Sequence, residues 1–113
     1  MSRSYAEYCA LAKGLDVLGD RWVLLIARNL LLGPQRYSEL RRDLPGIASN
    51  MLAQRLEHLQ AHDLVEHDGE RYALTETGRT LEPVIFAIAR WGEAHALGAP
   101  KPGDHLRVRY LVT

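Results

Sequence analysis

Ser49, Asn50 and Gln54 are short polar side chains turned outward at the start of a helix. Hydroxyl and amide groups presented that way can hydrogen-bond the edges of bases in a DNA major groove. Around them stand Arg36, Ser38, Arg41, Arg42, Arg55, His58 and Arg71, whose donors suit the phosphates bordering such a groove. The plainer alternative is a solvated helix exterior, with the arginines in surface ion pairs to Glu39, Asp43, Glu57 and Glu66. What favours nucleic acid is the order of the surrounding elements. From Arg36 to Leu74 a short helix, a Pro-Gly turn, an amphipathic helix and a tight hairpin follow one another in under forty residues. That order is how a winged helix-turn-helix presents one helix to a groove.

The apolar spacing supplies the elements. Tyr8, Leu11, Leu15 and Leu18 recur at three and four residues and form one stripe of a first helix ending near Gly19. Asp20 caps a second helix, in which the apolar residues from Trp22 to Leu32 face nearly every direction and predict burial on most sides. Gly33-Pro34 stops it. A short third helix runs over 38–44 with Leu40 and Leu44 inward, and Pro45-Gly46 turns the chain. The fourth helix spans 49–62, with Leu52, Leu56 and Leu59 facing the core and Asn50, Gln54, Glu57 and Ala61 facing away. Asp68-Gly69 is read as a two-residue hairpin turn that sets Val65 opposite Tyr72 and Glu66 opposite Arg71, making a wing. Thr75 then caps one long helix reaching Leu97, kinked at Pro83, with Leu81, Val84, Ile85, Ile88 and Trp91 on its apolar face. For Trp22 and Trp91 core packing is the favoured assignment, with a ligand pocket between the dimer helices as the open alternative. Beyond Gly98 comes a linker, and from Leu106 to Val112 apolar residues alternate in a strand's pattern.

The fold class that follows is mainly α with a small β-hairpin, with residues 1–98 as a winged helix-turn-helix domain and 99–113 as linker and strand-like tail. A chain of 113 residues supports one domain. Its interior is small, so the apolar faces of the first and last helices exceed what one subunit covers, and a homodimer through those terminal helices is expected.

Composition narrows the function. Fourteen basic and fourteen acidic residues leave a formal net charge of zero, so affinity for DNA must come from local clusters rather than bulk attraction. Cys9 is the single cysteine, which excludes an intrachain disulfide and fits a reducing cytoplasm. The N-terminus makes a poor signal peptide, and the apolar run from Trp22 to Leu32 falls short of a membrane span. There is no Gly-x-Ser-x-Gly elbow, no phosphate loop and no assembled acid and base, so an enzyme is not expected. His58 and His62 stand four apart, a metal-gripping interval, but without a thiolate or well-placed carboxylate beside them no metal or other cofactor is expected.

These residues together resemble the HxlR-type regulators, a winged-helix family of bacterial transcription factors related to the MarR type. The likeness rests on Cys9 six residues before Leu15, on Asp16 and Leu18 leading to Trp22, and on the run RYSELRRDLPGI. It rests also on the spacing of Leu52, Gln54, Arg55, Leu56 and Leu59, and on YALTETGRTLEPV with Trp91-Gly92 behind it. The resemblance covers roughly Tyr8 to Gly92. It implies a dimer that binds double-stranded operator DNA near promoters, acting as a repressor, with the first and last helices at the subunit contact. Some relatives with a cysteine at this place respond to oxidants or electrophiles, which makes Cys9 a candidate sensor and a small molecule or oxidant a candidate effector. No cation nearer than Lys13 activates the thiol, however, and the plainer reading is a small buried apolar residue. The chain departs from the family pattern where Ala10 replaces a frequent proline, and where the wing is short, acidic and lacks a proline-bearing tip. Neutral charge and that acidic wing support one alternative function, a winged helix that binds another protein instead of DNA.

Overall fold

The computed structural model describes residues 8–102. Helix α1 covers Ala10–Leu18 and α2 covers Arg21–Leu30, with Gly19 and Asp20 between them. The Asp20 Oδ1 accepts from the Trp22 amide at 2.8 Å, satisfying one of the donors that a helix start leaves open. Val23, Ile26, Ala27 and Leu30 are fully enclosed, so α2 is the central helix. Asn29 is enclosed with them, its side-chain oxygen accepting from the Arg28 Nε at 3.1 Å.

A two-residue strand, β1 (Gln35–Arg36), leads into α3 (Tyr37–Arg42). The Arg36 amide donates to Glu39 Oε1 at 2.7 Å, which fixes the entry to that helix. Leu40 and Leu44 anchor α3 and the following turn, and Gly46 takes the positive φ of 90° that the turn requires. Helix α4 is Ser49–Ala61. Leu52, Leu56 and Leu59 are 1% exposed or less, so its inner stripe lies where the periodicity predicts. The helix ends on Asp63 at φ 60°, with the Leu64 amide reaching back to Leu59 O and the Asp63 amide to Gln60 O, a Schellman ending.

Strands β2 (Val65–His67) and β3 (Arg71–Leu74) form the hairpin, and β1 adds to the free side of β3, giving the antiparallel order β1-β3-β2. The hairpin expected from sequence is therefore present, and a third strand extends it. Its register differs from the expected one: Val65 pairs with Leu74, Glu66 with Ala73 and His67 with Tyr72. The central turn residues are Gly69 and Glu70, because the Asp68 carboxylate turns back to accept from the amides of Glu70 and Arg71 at 2.8 and 2.7 Å. Gly69, at φ 97°, occupies the first central position, where a positive φ is needed.

The last helix is also corrected. Thr75 caps a short helix, α5 (Glu76–Arg79), and a separate α6 (Glu82–His95) follows. Pro83 starts α6 instead of kinking a longer helix, because proline lacks only a donor that the first turn cannot use anyway. Gly78 lets α5 lie against the chain at Leu64: a Cβ there would fall 2.1 Å from the Leu64 carbonyl oxygen. The core runs through α2, α3, α4, the sheet and Leu81. The strand predicted from Leu106 to Val112 lies outside the described residues.

Candidate nucleic-acid interface

The first turn of α4 stands in solvent because Leu44 and Ile47, on either side of the Pro45-Gly46 corner, are buried and hold the chain from below. Ser49, Asn50 and Gln54 are all exposed, Asn50 and Gln54 on the side opposite the three core leucines and Ser49 because it is the first residue of the helix. The residue ahead of the helix is Ala48, which has no side-chain cap to offer. The first amides of α4 thus keep their partial positive charge at a free surface, which suits a phosphate oxygen.

Tyr37 sets the position of this turn. Its hydroxyl donates to the Ser49 carbonyl oxygen and lies 3.1 Å from the Ser49 Oγ. That contact joins the first residue of α3 to the first of α4, and it was not foreseen from sequence. A tyrosine preceding a polar helix carries no signal of what its hydroxyl reaches until the turn between has been folded.

Ser38, Arg41 and Arg42 are exposed on α3, with Arg42 Nε 3.5 Å from Asp43 Oδ1. Arg36 and Arg71 face each other across β1 and β3, and both approach Glu70. On the wing, His67 and Tyr72 stack with ring centroids 4.0 Å apart. Burial pushes the Tyr72 hydroxyl above its ordinary pKa, with the nearby Tyr37 adding to the effect. The backbone amides of Arg71 and Glu70 hold the Asp68 carboxyl below the usual carboxylate range, with His67 and Arg71 adding small charge contributions.

Two residues set beside DNA by sequence are turned into the protein instead. The Arg55 side chain is only 11% exposed, and its Nη2 lies 3.0 Å from Asp20 Oδ2. His58 places its Nε2 2.8 Å from the Val17 carbonyl oxygen at the end of α1. Arg55 is thereby turned away from the exposed face toward the α1–α2 corner, while His58, half-buried, is tied to the same corner yet stays at the edge of that face beside Gln54 and Glu57. The His58 and His62 rings sit 4.6 Å apart, and no group of three or more potential metal ligands forms among the described residues.

Cys9 is exposed and its Sγ accepts from the Ala12 amide at 3.3 Å, making it the cap of α1 rather than a small core residue. Trp22 packs partly against the core with the Arg21 guanidinium 4.8 Å over its ring, as its assignment to packing predicts. Trp91 does not follow that assignment. It is 63% exposed on α6, and Leu11 on α1 and Ile88 on α6 also lie open. Among the described residues no helix is long and apolar enough to cross a membrane.

Comparison with known proteins agrees with this architecture. The profile of the HxlR-like helix-turn-helix family matches residues 17–98. The HTH-type transcriptional regulator YybR of Bacillus subtilis strain 168 is 34% identical over 96 residues, covering 79% of this chain and 77% of that protein. Quinone-bound YodB from B. subtilis superposes with a TM-score of 0.69 at 34% identity, covering 74% of this chain and 96% of that one. The redox regulator HypR in its reduced form gives a TM-score of 0.69 at 33% identity, covering 76% and 92%. The family match spans most of the chain and coincides with the helices, turn and wing described above. This chain belongs to the HxlR-like helix-turn-helix family of DNA-binding transcriptional regulators.

Proposed function

We propose that the protein is a homodimeric, sequence-specific repressor that reads a two-fold symmetric operator with the N-terminal half of α4. The observation that carries this reading is the free, polar first turn of α4, with Ser49, Asn50 and Gln54 exposed over a fully buried leucine stripe. Ser49, Asn50 and Gln54 contact bases. Ser38, Arg41 and Arg42 from α3 and Arg36 and Arg71 from the sheet contact phosphates. The exposed apolar residues of α1 and α6 support dimerisation, since surface of that kind is costly to leave in water. Two copies of α4 then enter successive major grooves about 34 Å apart.

The test is selection of bound sequences from a random duplex pool, followed by titration against salt. Enrichment of one inverted-repeat sequence with salt-dependent retention is the expected result. Salt-insensitive capture of a protein, with no sequence enriched, would favour the interaction-module alternative.

Exposure of Cys9 supports a second element, an oxidant or electrophile as effector. The quinone carried by the related YodB points the same way. Operator affinity measured before and after quinone treatment, in wild type and Cys9→Ser, tests it. A change in wild type that persists in Cys9→Ser would move the effector site elsewhere.

A further inference from the structure

We propose that Arg36 and Arg71 form a two-pronged anion clamp that Glu70 occupies in the free protein, so that the wing carries its own competitor for a DNA phosphate. The proposal rests on the DNA-binding function above and assigns a control element within it. Arg36 and Arg71 are direct partners across β1 and β3. Two guanidinium groups at such a position repel each other unless an anion lies between them. One does: Glu70 Oε1 sits 3.2 Å from Arg36 Nη2 and 2.6 Å from Arg71 Nη1, a single oxygen accepting from both.

The turn geometry delivers that carboxylate. Because Asp68 folds its own carboxylate under the amides of Glu70 and Arg71, the central pair of the hairpin is Gly69-Glu70, and Glu70 projects from the tip beside the two arginines. With the Asp68-Gly69 turn inferred from sequence, Arg71 would face Glu66 and Glu70 would pair with His67 in the ladder instead of standing at the turn. All three side chains remain about half exposed, so a phosphate can reach them. A phosphodiester oxygen can replace the carboxylate oxygen between the two donors, since guanidinium binds both anions through the same geometry.

Displacing an internal carboxylate leaves a negative charge beside the DNA backbone. Non-specific duplex suffers most, because its affinity comes almost wholly from phosphates, whereas a specific site also gains base contacts at α4. Glu70 therefore lowers background binding and widens the gap between operator and random DNA. An overall neutral chain with an acidic wing is consistent with such restraint.

The test measures Glu70→Gln against wild type by fluorescence anisotropy on a short random-sequence duplex over a range of salt. Glu66→Gln serves as control, since it removes the same charge from the same wing and Glu66 makes no ion pair among the described residues. Glu70→Gln is expected to tighten random-duplex binding by about three- to tenfold and to steepen log K against log [salt] by about one unit. Glu66→Gln stays within about twofold of wild type. Adding Arg36→Ala or Arg71→Ala to Glu70→Gln abolishes the gain. Wild-type-like affinity in Glu70→Gln, or an equal gain in Glu66→Gln, overturns the clamp while leaving DNA binding intact. Failure of wild type and every variant to retain duplex at low salt, with native circular dichroism throughout, overturns the DNA-binding reading and the clamp with it.

Discussion

Arg55 on α4 lies 3.0 Å from Asp20, the residue that caps α2. One Asp20 oxygen holds the Trp22 amide and the other takes the guanidinium, so a single carboxylate joins the start of the central helix to the middle of α4. His58, one turn further along α4, reaches the Val17 carbonyl. Helix α4 is thus fastened at two points to the corner between α1 and α2. Arg55→Ala strands a partly buried carboxylate and should cost about 2–4 kcal/mol of stability. Urea unfolding measures this as a lower midpoint at unchanged slope. A midpoint equal to wild type would show the pair to be idle.

Asn50 and Gln54 behave oppositely. Both are exposed, so alanine at either site leaves the thermal midpoint within error. Each substitution should remove about 1–3 kcal/mol of specific binding and relax base preference at one operator position. Unchanged operator affinity in both variants would take the contact surface away from α4.

Gly78 sits where no side chain fits. An added Cβ would lie 2.1 Å from the Leu64 carbonyl oxygen and 3.0 Å from Leu74 Cδ2, so α5 would have to move off the sheet. Gly78→Ala should cost about 2–3 kcal/mol, read by urea or thermal unfolding. A neutral result would mean that α5 does not lie against Leu64 in solution.

Asp68 gives the wing its pH response. Its carboxylate accepts two backbone amides in the folded chain, which lowers its pKa below the ordinary 3.8. The stabilisation is therefore present above the unfolded value and is lost as pH falls through the lower folded one. The turn should stay closed from neutral pH down to about the ordinary aspartate value and open only in stronger acid. Titration of the Asp68 carboxyl carbon by NMR checks this, and a midpoint above the ordinary value would contradict the turn geometry.

The exposed apolar residues of the terminal helices predict the assembly. Ile88→Glu or Trp91→Arg places a charge in the proposed dimer contact, and sedimentation should then report a monomer at concentrations where wild type is dimeric. Operator affinity falls with it, because two linked half-site contacts become one. Dimerisation unaffected by both changes would place the contact on another surface.

Local rules were enough to read most of the fold. The leucines at 52, 56 and 59 declare a helix and its buried side from spacing alone, and Pro45-Gly46 and Asp20 announce a turn and a cap by their own backbone chemistry. The exposure of Asn50 and Gln54 follows from the same periodicity, since a residue opposite a core stripe is exposed whatever packs beneath it, and that of Ser49 from its place at the helix start after the turn. Contacts between distant segments were decided otherwise. Whether Arg55 and His58 face water or the α1–α2 corner depends on which element lies against the flank of α4, and neither neighbouring residue nor periodicity encodes that. The hairpin register turned on one carboxylate, Asp68, choosing backbone amides and moving the turn by one residue. That shift put Glu70 at the turn, and the separate pairing of β1 with β3 set Arg36 opposite Arg71 beside it. Spacing along the chain specifies which side of an element is buried; only the folded packing specifies what meets it there, because those contacts join residues tens of positions apart.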